Sequence, residues 1–158
     1  MDKKIFVKNS YYEGLLQDLF CGNDGFFSIF MHFFYQYNQI FCFNQNFKEE
    51  FKLLCGKELE ACEIISALII QIGGDAKYYS SMRKFLSGSK IDYVKNFKMM
   101  LENDIELIEK SLLDVKSALC KIENMQIKTD LRKILVLKNE ELEIIKKIYL
   151  NVIENKNS

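Results

Sequence analysis

The sequence predicts an all-α fold, a bundle of four long helices preceded by a short one, and three observations predict it. Apolar residues recur at alternating spacings of three and four through four long stretches, the pattern of helices that each bury one face. Proline is absent and glycines number only 7, so little breaks those stretches. The connections between them are short except for Asp75 to Lys90, which suits a bundle with one crossover.

The short helix is expected over residues 10–21, with Ser10 three residues before Glu13 as a capping box and Gly22 after its last turn. Asp24 is the expected cap of the next helix, over 24–44. Its inward positions are Phe26, Ile29 or Phe30, Phe33, Tyr37 and Ile40, yet Phe27, Phe34, Tyr35 and Phe41 make its other faces aromatic too. Such a helix is buried on several sides or forms part of an oligomer surface.

The third helix, over 47–73, carries Phe51, Leu54, Glu58, Ala61, Ile65, Leu68 and Ile72 in one seam, a carboxylate among hydrocarbons, and stops at Gly73-Gly74. Asp75 to Lys90 has no clean helical stripe and reads as a crossover along the bundle. The fourth helix, over 91–123, presents Phe97, Leu101, Ile105, Ile108, Leu112, Val115, Leu119 and Ile122. A short turn leads to the last, over 127–154, with Ile127, Leu131, Ile134, Leu137, Glu140, Ile144, Ile148 and Val152 as its seam. Glu140 interrupts that seam as Glu58 interrupts the third.

The 158 residues suit one domain spanning 1–158, large enough to fold without a disulfide or structural metal. Lysine plus arginine number 22 and aspartate plus glutamate 22, so no charge excess favours nucleic acid or an anionic membrane. The apolar run from Gly25 to Phe43 contains His32, Gln36, Asn38 and Gln39, each costly in hydrocarbon, and reads as a buried helix. Cys21, Cys42, Cys55, Cys62 and Cys120 form no C-x-x-C pair, and no signal peptide is recognisable, so a reducing cytoplasm is expected. Neither a glycine-rich phosphate loop nor a nucleophile elbow is present. His32 points away from the inward stripe and reads as a hydrogen-bonded or interface histidine. The Glu49-Glu50, Glu140-Glu141 and Lys146-Lys147 pairs read as solvated faces.

Several runs, in order along nearly the whole chain, carry a resemblance: Asn9-Ser10-Tyr11-Tyr12 with Asp18 and Gly22, Tyr35-Gln36, Glu58 with Glu63-Ile64-Ile65, and Gly73-Gly74-Asp75 with Tyr78. They continue as Gly88-Ser89 with Tyr93, Asp104-Ile105-Glu106, and Asn139-Glu140-Glu141-Leu142. The chain resembles the bacterial ferritin-like proteins related to rubrerythrins, manganese catalases and a spore-coat catalase-like protein. The resemblance implies a ferritin-like four-helix bundle with a metal pair held by a glutamate from each of two helices and a Glu-x-x-His motif from each of the other two.

Carried over, those ligands fall on Phe26, on Glu58 with Ala61 in place of histidine, on Ile108, and on Glu140 with Glu143 in place of histidine. Glu58, Glu140 and Glu143 are thus the residual metal candidates, while Phe26, Ala61 and Ile108 occupy lost ligand positions. The expectation is a non-catalytic pseudo-ferritin with its dimetal site lost, a structural or interaction protein with no cofactor. The alternative is a metal-dependent oxidoreductase, catalase- or ferroxidase-like, using a reduced carboxylate set with iron or manganese. The expected partner is a second copy or a related ferritin-like protein; nucleic acid and membrane are not expected. The resemblance adds spore association as a setting.

Overall fold

The computed structural model describes residues 9–88 and 91–155. Five α-helices run in the order α1 Ser10–Cys21, α2 Phe26–Phe43, α3 Lys48–Gln71, α4 Phe97–Lys121 and α5 Met125–Glu154, with a 3₁₀ turn over Gln45–Phe47 between α2 and α3. Among the described residues there is no strand, only an isolated antiparallel bridge between Tyr79 and Phe85. The four long helices form the bundle as two hairpins, α2 with α3 and α4 with α5, joined by the one long crossover, and α1 packs against α3 and α2. No described helix is long and apolar enough to cross a membrane.

The caps differ from the expected ones in two places. Asn9, not Ser10, caps α1, its side chain accepting from the amides of Tyr11 and Tyr12 at 3.1 and 3.0 Å. Asp24 does not cap α2: Gly25 holds that position, and Asp24 adopts a left-handed φ of 57°. Its carboxylate instead accepts from Lys110 of α4 at 2.8 Å. At the end of α3, Gly73 turns the chain with φ 78°, a conformation glycine adopts without a Cβ clash. α4 starts at Phe97 and not near 91, because Asn96 turns its side chain onto the Met99 amide at 2.9 Å and halts the helix there.

The crossover is stitched to α1. Gln17 donates to the carbonyls of Lys77 and Tyr79, both at 2.6 Å. Asp18 accepts from the amide and hydroxyl of Ser81 at 2.8 and 2.7 Å. Ser89 and Lys90, part of the expected crossover, lie outside the described residues. Tyr78 stacks on Phe27 at 4.7 Å and Tyr93 meets Tyr35 edge-on at 4.9 Å, so the crossover covers part of the aromatic face of α2. Phe34 and Phe41 stay exposed.

Buried side chains fall into two apolar clusters. One, towards α1, includes Leu16, Phe26, Ala61, Ile65, Val115, Ile134 and Leu137. The other includes Phe33, Phe51, Leu54, Leu101, Ile108 and Ile145. On α3 the buried residue between Leu54 of one cluster and Ala61 of the other is Glu58; on α5 the stretch between Leu137 and Ile145 contains the buried Lys138 and Glu141. A charged layer therefore lies where the two cores meet.

Candidate functional site

Glu58, Lys138 and Glu141 are buried with no solvent exposure (0%). Glu58 comes from the α3 seam Leu54-Glu58-Ala61-Ile65, and the other two from Ile134-Lys138-Glu141-Ile145 on α5. Both runs step by four, three and four, which keeps a residue on one helical face. The Lys138 ammonium donates to Glu58 Oε2 and lies 3.5 Å from Glu141 Oε2. The face of the Phe26 ring closes the cluster, with Nζ 4.6 Å from its centroid, a cation–π contact.

Two carboxylates share one ammonium, and the polar atoms record the imbalance: Glu58 Oε1 and both carboxylate oxygens of Glu141 have no hydrogen-bond partner. Burial raises the Glu141 carboxyl well above the usual carboxylate range, and the neighbouring Glu58 charge adds to the effect. Burial alone would lower the Lys138 pKa, but the two glutamates outweigh it and hold the ammonium above the usual lysine range. Beside them, burial and then Glu58 push the Cys62 thiol far up, away from any thiolate chemistry. Cys21 is likewise pushed up to about 12 and Cys55 to about 11, chiefly by burial.

Of the residues picked from sequence, Glu58 faces the interior, and Phe26, Ala61 and Ile108 are buried there at 1% exposure or less. Glu140 and Glu143 are corrected: neither points inward. Glu140 is 46% exposed and pairs with Lys57 on the bundle's flank, and Glu143 is exposed. The seam through Glu140 and Ile144 lies one residue off, a rotation of roughly 100°. The interior runs instead through Lys138, Glu141 and Ile145. The 4-3-4 spacing of Ile134, Lys138, Glu141 and Ile145 was available in the sequence; a lysine inside a seam reads as a surface residue and hid it. The pairing of Glu140 with Glu141 as one solvated face is corrected with it, since only Glu140 is on the flank.

A second buried polar group lies between α2 and α4. His32 Nε2 and Gln36 Nε2 both donate to Asp104 Oδ1, at 3.0 and 2.8 Å, and the Asp92 amide donates to His32 Nδ1 at 3.3 Å. That amide makes Nδ1 the acceptor and so places the ring proton on Nε2. Asp104 is fully buried, and burial raises its carboxyl against the opposing pull of His32 and Gln36. The hydrogen-bonded reading of His32 agrees with this arrangement, whereas Asp104 carried no signal as a buried residue in its acidic neighbourhood.

The architecture, two helical hairpins joined by one long crossover, is that of the ferritin-like four-helix bundles. The chain has the fold of KatB, a manganese catalase from Anabaena, with a TM-score of 0.85 at 14% identity over 96% of this chain and 77% of that one. A second structure of KatB, from Anabaena PCC7120, gives 0.82 with the same identity and the same coverage. No family model and no curated protein sequence matches the chain. The expected non-catalytic, structural role is corrected here: the solved structures sharing the fold are enzymes, and they favour the metal-dependent alternative.

The residues do not fit a metal pair. A pair needs bridging carboxylates from facing helices, and α2 and α4 offer Phe26 and Ile108 instead. Among the described residues no group of three or more His, Cys, Asp or Glu side chains is arranged to hold a metal. Glu58 of α3 and Glu141 of α5 are the two inward carboxylates, and both already face the Lys138 ammonium.

Proposed function

We propose that the chain is a metal-dependent oxidoreductase of the catalase or ferroxidase kind that works with a reduced carboxylate set. Glu58 and Glu141 are the residues that would hold a divalent ion, manganese or iron, at the junction of the two apolar clusters. The observation that supports this reading is the pair of fully buried carboxylates, Glu58 and Glu141, on two facing helices of a bundle with the fold of a manganese catalase. Carboxylate oxygens are hard ligands suited to manganese and iron, and the ion supplies the redox chemistry when bound. The chain's own residues do the rest. Glu58 and Glu141 would orient the ion, and Phe26, Ala61 and Ile108 line the surrounding interior with hydrocarbon.

The same reading takes residues 1–158 as one domain in a reducing cytoplasm, in keeping with the free state of all five cysteines. It includes self-association through the part of the α2 face that the crossover leaves open, Phe34 and Phe41. Spore association is kept only as an implication of the family resemblance.

The test is turnover. Protein prepared in manganese, and separately in iron, is assayed for loss of hydrogen peroxide and for oxidation of ferrous iron. Turnover that disappears in Glu58→Gln supports the reading. Absence of both activities with either metal at millimolar concentration overturns it.

A further inference from the structure

We propose that the cleft between α1, the crossover and the last turns of α4 binds a small organic anion, a monocarboxylate with an apolar body. The proposal is independent of the metal-dependent reading and shares no residue with it.

The cleft has a volume of about 550 Å³, within the usual range of small-molecule sites. Leu15 and Leu19 of α1 and Leu86 of the crossover give it hydrocarbon walls, while Met82 and Phe85 line it at 77% and 76% exposure. Two large apolar side chains left open beside a cleft are surface that an apolar ligand would cover. The segment that carries them is held in shape. The Ser80 amide donates to the Lys84 carbonyl and the Leu86 amide to the Tyr78 carbonyl, both at 2.9 Å.

Charge selects the kind of ligand. Three carboxylates line the cleft and each is already answered: Asp18 by the amide and hydroxyl of Ser81, Asp24 by Lys110 at 2.8 Å, and Asp114 by the same ammonium at 3.8 Å. Cys21 adds no charge, since burial pushes its thiol up to about 12. Lys84 and Lys121 line the cleft too, and among the described residues neither ammonium has a partner. The unmet charge is positive.

Ser28 supplies a separate argument. It lines the cleft as a buried residue, at 6% exposure, yet its hydroxyl makes no hydrogen bond among the described residues. A buried hydroxyl left without a partner is costly, and a ligand oxygen that accepts from it removes the cost. Ser28 also belongs to the first turn of α2, which no side chain caps, so the helix dipole favours an anion there. A carboxylate that accepts from Ser28, near Lys84 and Lys121, with its hydrocarbon against Leu19 and Phe85, satisfies each of these groups. A dianion such as phosphate meets the three neighbouring carboxylates less favourably and leaves the apolar walls uncovered.

The test titrates phenylbutyrate into the chain of residues 1–158 in buffer free of carboxylate and phosphate. Phenylbutylamine serves as the same body with the opposite charge, and acetate as the charge without the body. Binding is read by calorimetry and by the amide NMR shifts of Ser28 and Ala118, which both line the cleft. Phenylbutyrate should bind with a dissociation constant of about 1 mM or below, and at least about tenfold tighter than either control. Lys84→Met combined with Lys121→Met should weaken it by about fivefold or more, and Ser28→Ala by about 3- to 10-fold. Both lysines are exposed and the serine hydroxyl is unpartnered, so these variants should keep the wild-type Tm.

Equal binding of phenylbutylamine or of acetate overturns the proposal, because charge and apolar body are both required. Unmoved amides at Ser28 and Ala118, or wild-type affinity in both variants, place the ligand elsewhere and overturn it too. So does the absence of any phenylbutyrate binding at about 10 mM.

Discussion

The two buried polar groups of this bundle solve different problems. Between α3 and α5, Glu58 and Glu141 face a single ammonium, and Glu58 Oε1 and Glu141 Oε1 have neither a hydrogen bond nor an ion pair. Between α2 and α4, one carboxylate, Asp104, meets two side-chain donors, and the Asp92 amide completes the histidine. In the first group burial and the Glu58 charge raise the Glu141 carboxyl, and both glutamates hold the Lys138 ammonium. The second ties the crossover at Asp92 to α2 and α4 with its one charge shared among neutral donors. Both groups leave buried carboxylate oxygens without a hydrogen-bond partner, Asp104 Oδ2 in the second; a second fully buried carboxylate on the same ammonium is what sets the first apart.

The difference between the two groups can be broken from either side, and the largest effect belongs to the ammonium. In metal-free buffer Lys138→Ala leaves two buried carboxylates without a cation and should cost about 3–5 kcal/mol, measured by urea unfolding. Asp104→Ala strands the His32 and Gln36 donors and should cost about 1–3 kcal/mol. Its distinguishing mark is faster hydrogen exchange at the Asp92 amide, which a change at Lys138 should leave alone.

The pH dependence has a definite sign. The folded Glu141 carboxyl titrates above its ordinary value of 4.5, so the native state binds the extra proton and the wild type loses stability as pH rises from about 4.5 through the raised value. Glu141→Gln, which cannot ionise, should remove that decline and be more stable than the wild type at neutral pH by about 1 kcal/mol or more. The gap should close as the pH is lowered towards 4.5. An unchanged pH profile would place the Glu141 charge outside the cluster. The smallest effect falls on the flank: Glu140→Ala loses a partly exposed pair with Lys57 and should shift stability by about 0–1 kcal/mol without altering manganese binding.

Much of this was legible in the sequence, for physical reasons that also explain the misses. The helices and the single crossover follow from apolar periodicity, and Glu58 stood out because its seam neighbours Leu54, Ala61 and Ile65 are all apolar. α5 offered two seams one residue apart, and hydrophobicity alone preferred the one through Leu137 and Ile144 over the one with a lysine in it. Only packing against α3 puts Lys138 inside, where Glu58 answers its charge. The Asp104 group joins residues from α2, the crossover and α4, and no local pattern links side chains that far apart. The α2 cap was missed because Asp24 satisfies Lys110 of α4 rather than its own helix end.

The central claim is that the bundle centre holds one cation between Glu58 and Glu141. Its most direct test is the stoichiometry of manganese bound to the metal-stripped chain of residues 1–158, read by electron paramagnetic resonance against Glu58→Gln. The account predicts one ion per wild-type chain and none in the variant. Two ions per chain, or one ion that survives Glu58→Gln, would contradict it.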